Sequence, residues 1–343
     1  MFKQESFRLR AIFVVIAILV LPILSHGQTF ETEDSLLAEH VIFSDDHINF
    51  KPDNPDSGAR EQITVLDNGR VIQNSMTLPT IEQPTRIVGH LILKPIPVDD
   101  ITVGDKWDRA GSIRLSFDDR PDLELVKFIT AYGGQTEWEV DLSKLGPMLQ
   151  GDVTISAFID TWVTPGWLVD FSIKYYDDST LSTPHWVKPI FFENSFSLEK
   201  YSDTGVTINV TIPDDQQRVM LGYLVSGHCT DGRGADEFVK KDNVISVDGV
   251  VIYRFAPWRD DCRDFREFNP YTRRWSDSYW SSDYDRSGWC PGDFVEPLYL
   301  DLTDHLTPGD HSVSIVIENI RPKNEDNHYG YWRVSSYLLG LTD

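Results

Sequence analysis

Cysteine and methionine are scarce in this sequence, with three and four in 343 residues. Basic side chains are also few: 31 Lys and Arg face 54 Asp and Glu, for a formal net charge of −23. That deficit excludes a general binder of nucleic acid or anionic membrane, which needs a Lys/Arg excess to neutralise phosphate. The nine histidines are scattered, with no H-x-H or H-E-x-x-H pair, and no C-x-x-C occurs. A metal site and a metal cofactor are therefore not expected. The acidic turns Asp45-Asp46 and Asp283–Asp285 lack EF-hand spacing and read as solvated loops. Long helical periodicity is missing. So are long apolar runs: the longest, Ala11–Leu24, has 14 residues, short of the roughly 20 that span a bilayer.

That run has a different reading. Lys3, Arg8 and Arg10 precede it and Ser25-His26-Gly27 follow, a small-x-small cleavage pattern. Residues 1–27 read as a secretory signal peptide, with a short membrane anchor as the alternative. The expected product is an exported protein, periplasmic or secreted, where disulfides are allowed. No membrane contact is expected after cleavage.

What is abundant is punctuation and alternation. Pro (19), Gly (22) and aromatics (12%) are plentiful. Trp167, Val169, Phe171, Ile173 and Tyr175 share one face of a period-two pattern, as do Val153, Ile155, Ala157 and Ile159. Val206 to Ile212 and Val313 to Ile317 repeat it, and shorter candidates fill most of the remainder. Asp67-Asn68-Gly69, Asp248-Gly249 and Pro308-Gly309-Asp310 separate them as turns. Only Ser143–Gln150 looks like a helical turn. Many short strands without intervening helices predict an all-β protein of sandwiches or jelly rolls. The stretch Thr183–Lys200 separates two runs of strands, giving a signal peptide (1–27) and domains at 28–194 and 195–343.

Pro257–Gly292 carries little strand signal across 36 residues, yet holds nine aromatics. Such a loop is usually functional; it serves as a ligand platform, or packs its rings inward as a small core. Cys262 and Cys290 near its ends are expected to form a disulfide that staples its base. Cys229 adjoins His228, but neighbours on a strand point to opposite faces, so a Cys-His nucleophile is not expected. A buried or idle thiol is the better reading of Cys229.

Three acids sit in unusual settings: Asp108 in Lys106-Trp107-Asp108-Arg109, Asp160 in Asp160-Thr161-Trp162, and Glu237 in Asp236-Glu237-Phe238, shortly after Gly227-His228. Together with Phe128-Ile129-Thr130-Ala131-Tyr132, Val169–Tyr175, Ser335-Ser336-Tyr337 and the string Asp285-Arg286-Ser287-Gly288-Trp289-Cys290-Pro291-Gly292, they resemble the peptide-N-glycosidase F family over residues 40–341. The eight-residue string is the most specific element.

The resemblance implies two tandem eight-stranded antiparallel jelly rolls, with a site in the cleft between them. It also implies an exported amidase that hydrolyses the GlcNAc–Asn linkage of N-glycoproteins or glycopeptides, with no cofactor. Catalytic roles fall on Asp108, Glu237 and Asp160, and substrate contacts on Trp107, Arg109, Trp162, His228, Arg286 and Trp289. The partner is the N-linked glycan, and the chain is expected to act as a monomer. The fold is also similar to that of copper monooxygenases, whose histidine motifs are missing here. Three departures stand out. Asp160 occupies a Glu position, Ser226 replaces a Trp, and Ala235 and Val239 replace two cysteines that bracket the glutamate, which leaves its loop less constrained. An N-glycan-binding protein of the same fold with impaired catalysis is the alternative. A structural or inhibitory β-protein and a glycosidase cutting between sugars are further readings; the glycosidase would share the paired carboxylates.

Overall fold

The computed structural model describes residues 35–51, 60–214, 218–232 and 236–341. The signal peptide expected over residues 1–27 lies outside them. Among the described residues, no helix is long and apolar enough to cross a membrane.

The first half supplies β1 (Leu36–Ile48), β2 (Thr64–Leu66), β3 (Val71–Leu78), β4 (Thr85–Pro95), β5 (Ala110–Leu115), β6 (Leu123–Ile129), β7 (Thr136–Asp141), β8 (Gly151–Ile159) and β9 (Trp167–Asp177). One sheet has the order β1-β9-β4-β7 and the facing sheet contains β6-β5-β8-β3-β2. This is an antiparallel sandwich of eight principal strands with the three-residue β2 appended. The alternation in β9 is realised directly: Trp167, Val169, Phe171, Ile173 and Tyr175 are all at most 2% exposed. On β8, Ile155, Ala157 and Ile159 meet them from the other layer. Residues i and i+2 of a strand share a face, so an alternating run buries one full face between two sheets.

The second half contributes β10 (Trp186–Phe196), β11 (Val206–Ile212), β12 (Arg218–Cys229), β13 (Asn243–Val247), β14 (Val250–Phe255), β15 (Phe294–Val295), β16 (Leu298–Asp301), β17 (Gly309–Ile317) and β18 (Gly330–Leu341). Its sheets run β10-β18-β12-β16 and β11-β17-β13-β14. Asp248-Gly249 turns β13 into β14, both residues at positive φ, the conformation a two-residue hairpin requires. Strand β10 pairs with β18 along its length, and residues 178–185 join β9 to β10.

The two sandwiches are welded rather than tethered. Val187, Leu224, Tyr337 and Leu339 of the second half belong to the core of the first. Strand β15, although it follows the long loop, pairs with β6 (Phe294↔Phe128, Val295↔Lys127) and extends the first half's sheet. Strand β6 is buried on both faces, because β18 and β10 of the second half pack on the face that turns away from the first core, although that face carries two charges. Glu124 and Lys127 pair at 3.1 Å, Ser335 Oγ donates to Glu124 at 2.6 Å, and Lys127 Nζ donates to the Arg333 carbonyl at 3.3 Å. Buried charges persist only when paired and hydrogen-bonded in this way.

The segment 257–292 is stapled as expected: Cys262 and Cys290 form a disulfide. Between them lie the short 3-10 turns Cys262–Phe268 and Ser281–Asp283.

Candidate active site

A cleft of about 300 Å³ opens where the sandwiches meet, lined by residues of both halves. Its first-half wall is organised by Asp105, which is fully buried. The Asp105 carboxylate accepts hydrogen bonds from Arg109 Nε (2.9 Å), Thr161 Oγ1 (2.6 Å), Trp167 Nε1 (3.3 Å) and the Trp107 N–H (3.2 Å). Thr130 pins the same segment: its hydroxyl accepts from the Arg109 N–H at 2.8 Å and donates to the Trp107 carbonyl at 3.2 Å. Asp108 thus projects from a stretch fixed on both sides, close to Asp160 just beyond the end of β8, whose N–H bonds the Ala110 carbonyl.

The opposite wall is the turn Asp236–Phe238. Of the two positions that bracket Glu237, Val239 is described and Ala235 lies outside the described residues. Asp236 is fully buried and accepts from Trp332 Nε1 (3.0 Å) and the Arg321 N–H (3.0 Å). Ser287 donates its hydroxyl to the Asp236 carbonyl at 2.7 Å, and its N–H to the Glu237 carbonyl at 2.9 Å. A Cβ on Gly330 would fall 1.7 Å from the Asp236 carboxylate, so the close approach of β18 requires glycine there.

Arg286 joins the two walls. Its side chain is fully buried, donates Nε to Glu237 Oε1 at 3.1 Å, and places Nη2 3.8 Å from Asp108 Oδ2. Carbonyls of Tyr284 (2.9 Å) and Ser281 (2.6 Å) hold the guanidinium from behind, and Trp289 and Phe238 cover it at 4.7 and 5.1 Å. Two carboxylates, each 14% exposed, therefore share one cation. Burial pushes Asp108 upward from the usual carboxylate range, against Arg286, a Tyr132 hydrogen bond and Arg109. Burial, helped by the charge of Asp108 and opposed by Arg286, lifts Glu237 to about 7. Glu237 can therefore gain or lose a proton near neutrality beside a second carboxyl group whose own affinity for a proton is raised.

The remaining expected residues divide by position. Trp107 and Trp162 stand at the rim, 50% and 55% exposed, with ring faces suited to a sugar. Arg109 lines the cleft with its Nε committed to Asp105. Trp289 is 3% exposed and donates Nε1 to the Gly227 carbonyl at 2.7 Å. His228 lies against it at 5.3 Å and against Tyr331 at 5.3 Å. Burial, with Arg333, Lys127 and Arg286 nearby, keeps the His228 imidazole well below its ordinary pKa, hence neutral. Arg286 lies behind the carboxylates rather than on the cleft surface. Asp160 shares the cleft but is taken by two arginines, Arg333 Nη2 at 2.6 Å and Arg70 Nη1 at 3.3 Å.

Sequence reasoning passed over several members. Tyr132 hydrogen-bonds Asp108 and is itself buried, and Arg70, Arg333 and Tyr331 complete the Asp160 side. Asp105 directly precedes Lys106-Trp107-Asp108-Arg109, whose Trp and Arg are the only sequence signal for it. Nothing in the string flags Arg333, which reaches Asp160 from the far end of the chain. The Cys229 thiol lies 3.4 Å from Glu237 Oε2.

The family model for peptide-N-glycosidase F, C terminal, matches residues 198–339, and that for peptide-N-glycosidase F, N terminal, matches 114–175. Asp160, Glu237 and Arg286 fall within these spans, while Trp107, Asp108 and Arg109 precede the N-terminal one. A solved structure of PNGF-II is 26% identical with a TM-score of 0.80, covering 89% of this chain and 65% of its own; the chain thus spans about two thirds of that relative's length. PNGase F, a glycosylasparaginase from Flavobacterium meningosepticum, is 18% identical with a TM-score of 0.67, covering 89% of this chain and 96% of its own. A recombinant PNGase F gives 17% and 0.70, covering 89% and 95%. At these last identities the likeness is one of fold. No curated protein sequence matches the chain.

Proposed function

The chain belongs to the peptide-N-glycosidase F family, and from that premise we propose that it is an amidase releasing N-linked glycans by hydrolysis of the GlcNAc–Asn amide. The observation that carries this reading is the meeting of Asp108 and Glu237 on the single buried cation of Arg286, in a cleft rimmed by Trp107 and Trp162.

Hydrolysis of an amide needs an activated water, a stabilised oxyanion and a proton for the leaving nitrogen. Water adds to the carbonyl carbon of the linkage and gives up a proton to ionised Asp108. Glu237 orients that water and shares the proton across the cleft. The tetrahedral oxygen carries the negative charge and is met by Arg109, whose terminal amino groups have no protein partner among the described residues. When the C–N bond breaks, the proton passes to nitrogen. A peptide aspartate and a glycosylamine leave, and the glycosylamine loses ammonia to a second water. Arg286 acts through the pair: it keeps one carboxylate ionised while burial keeps the other protonated. Trp107 and Trp162 stack on the innermost sugars. Export completes the proposal, supported by the leader pattern and by the disulfide, and the exported chain is proposed to act as a monomer.

One observation favours a second reading, a glycan-binding protein with impaired catalysis. Asp160 is one methylene shorter than the family's glutamate, and its oxygens are held by arginines. Mass spectrometry of a denatured N-glycopeptide, incubated in ¹⁸O water with the protein and with Asp108→Asn, separates the two. Conversion of the glycosylated Asn to ¹⁸O-labelled Asp, lost in the variant, is expected. Binding without conversion supports the second reading, and GlcNAc left on Asn means a glycosidase.

A further inference from the structure

We infer that Cys229 is a positioning residue for Glu237, a thiol that serves the carboxyl group in both of its protonation states. The inference deepens the reading of Glu237 as half of the proton-handling pair and rests on it. Cys229 ends β12 beside the cleft. Its sulfur lies 3.4 Å from Glu237 Oε2 and 3.1 Å from the Gly232 carbonyl oxygen, so two acceptors compete for one S–H proton.

The charge on Glu237 decides that competition. An ionised Oε2 is the stronger acceptor, and the S–H turns to it. A protonated Glu237 presents an O–H instead; the sulfur accepts it and the S–H turns to Gly232. A thiol is a weak donor and a weak acceptor at once. Arg286 meets Oε1 from the other side, only donates, and so favours only the ionised form. A carboxyl group that gains and loses a proton in each turnover thus keeps a partner in either state without any heavy atom moving. Asp108, Tyr132 and Tyr331 also act on Glu237, while Asp231 and Arg321 flank the thiol. Burial and the charge of Glu237 push the thiol up to about 12, so it stays protonated and is no nucleophile.

Two of the three cysteines form the disulfide, so the S–H stretch in a Raman spectrum of the whole protein reports Cys229 alone. Without substrate, that band is expected to move to lower frequency as pH rises through about 7, and to stay fixed in Glu237→Gln. In turnover, Cys229→Ala removes both interactions, of which the charge-assisted bond to the ionised form is the stronger, so the balance tips toward protonation and the pair's apparent pKa values rise. The pH profile of kcat/KM then moves up by about half a unit to one unit, a roughly three- to tenfold loss on its acid side. Cys229→Ser, which keeps both roles, returns the profile toward the native position. A pH-indifferent S–H band overturns the inference. So do Ala and Ser variants that lower kcat/KM alike without moving the profile. The Raman titration needs no turnover, so failure of the amidase reading is told apart from failure of this one.

Discussion

Glu237→Gln should make the protein more stable at alkaline pH while disabling it. The Glu237 carboxyl is lifted to about 7 from an ordinary value of 4.5. Between those values the folded chain holds a proton that the unfolded chain releases. The associated stability is fully present below about 4.5 and is lost as pH rises through about 7. A gap of about 2.5 units at about 1.36 kcal/mol each is roughly 3 kcal/mol, shared with Asp108 through the common guanidinium. Glutamine never ionises, yet its Oε1 still accepts from Arg286 Nε, so the fold keeps its contact and escapes the penalty. Thermal unfolding at about pH 5 and about pH 8.5 reads the effect. The native protein should lose roughly 3–4 °C more than the variant over that interval, while glycan release by the variant falls roughly a hundred- to ten-thousandfold. Parallel unfolding curves for the two proteins would refute the argument, because they would mean that Glu237 pays nothing for its burial.

Arg286→Met should lower stability by roughly 3 kcal/mol or more at about pH 9, and by less at about pH 6, where both carboxylates can take up protons instead of standing unpaired. Urea unfolding at the two pH values checks this, and release should fall at least a hundredfold. Trp107→Ala should raise KM about tenfold with kcat little changed, since it removes a half-exposed ring face rather than a proton carrier; steady-state kinetics on a glycopeptide decides it. Asp160→Asn should cost roughly 1–3 kcal/mol in urea unfolding, because Arg70 and Arg333 lose their shared anion. A group that contacts only substrate would leave stability unchanged.

The strands were legible because each alternation buries one complete face, as in Trp167 to Tyr175. Strand β6 was legible as a strand but not as a strand buried on both sides. Glu124 and Lys127 look solvent-facing until Ser335 and Arg333 arrive from more than 200 residues away. The same distance explains the site. Asp108, Glu237 and Arg286 stood in recognisable strings, but no string shows that the guanidinium is sealed behind the acids. Asp160 was legible as an acid near a Trp, and its capture by Arg70 and Arg333 was not, since each partner comes from a different strand edge. Cys229 was read by the rule that neighbours on a strand diverge. The rule correctly separated it from His228 and said nothing about the turn that brings Glu237 against its sulfur.

Strand β15 has a consequence for how such a chain can be inherited. It comes from the later half yet completes the earlier half's sheet beside β6, immediately after the stapled loop that carries Arg286. Gene fragments exchanged at 178–185 would part β6 from its outer neighbour and Glu124 from Ser335, and would strand Asp108 on one piece and its cation on the other. The pair of sandwiches should therefore travel through evolution as one indivisible module.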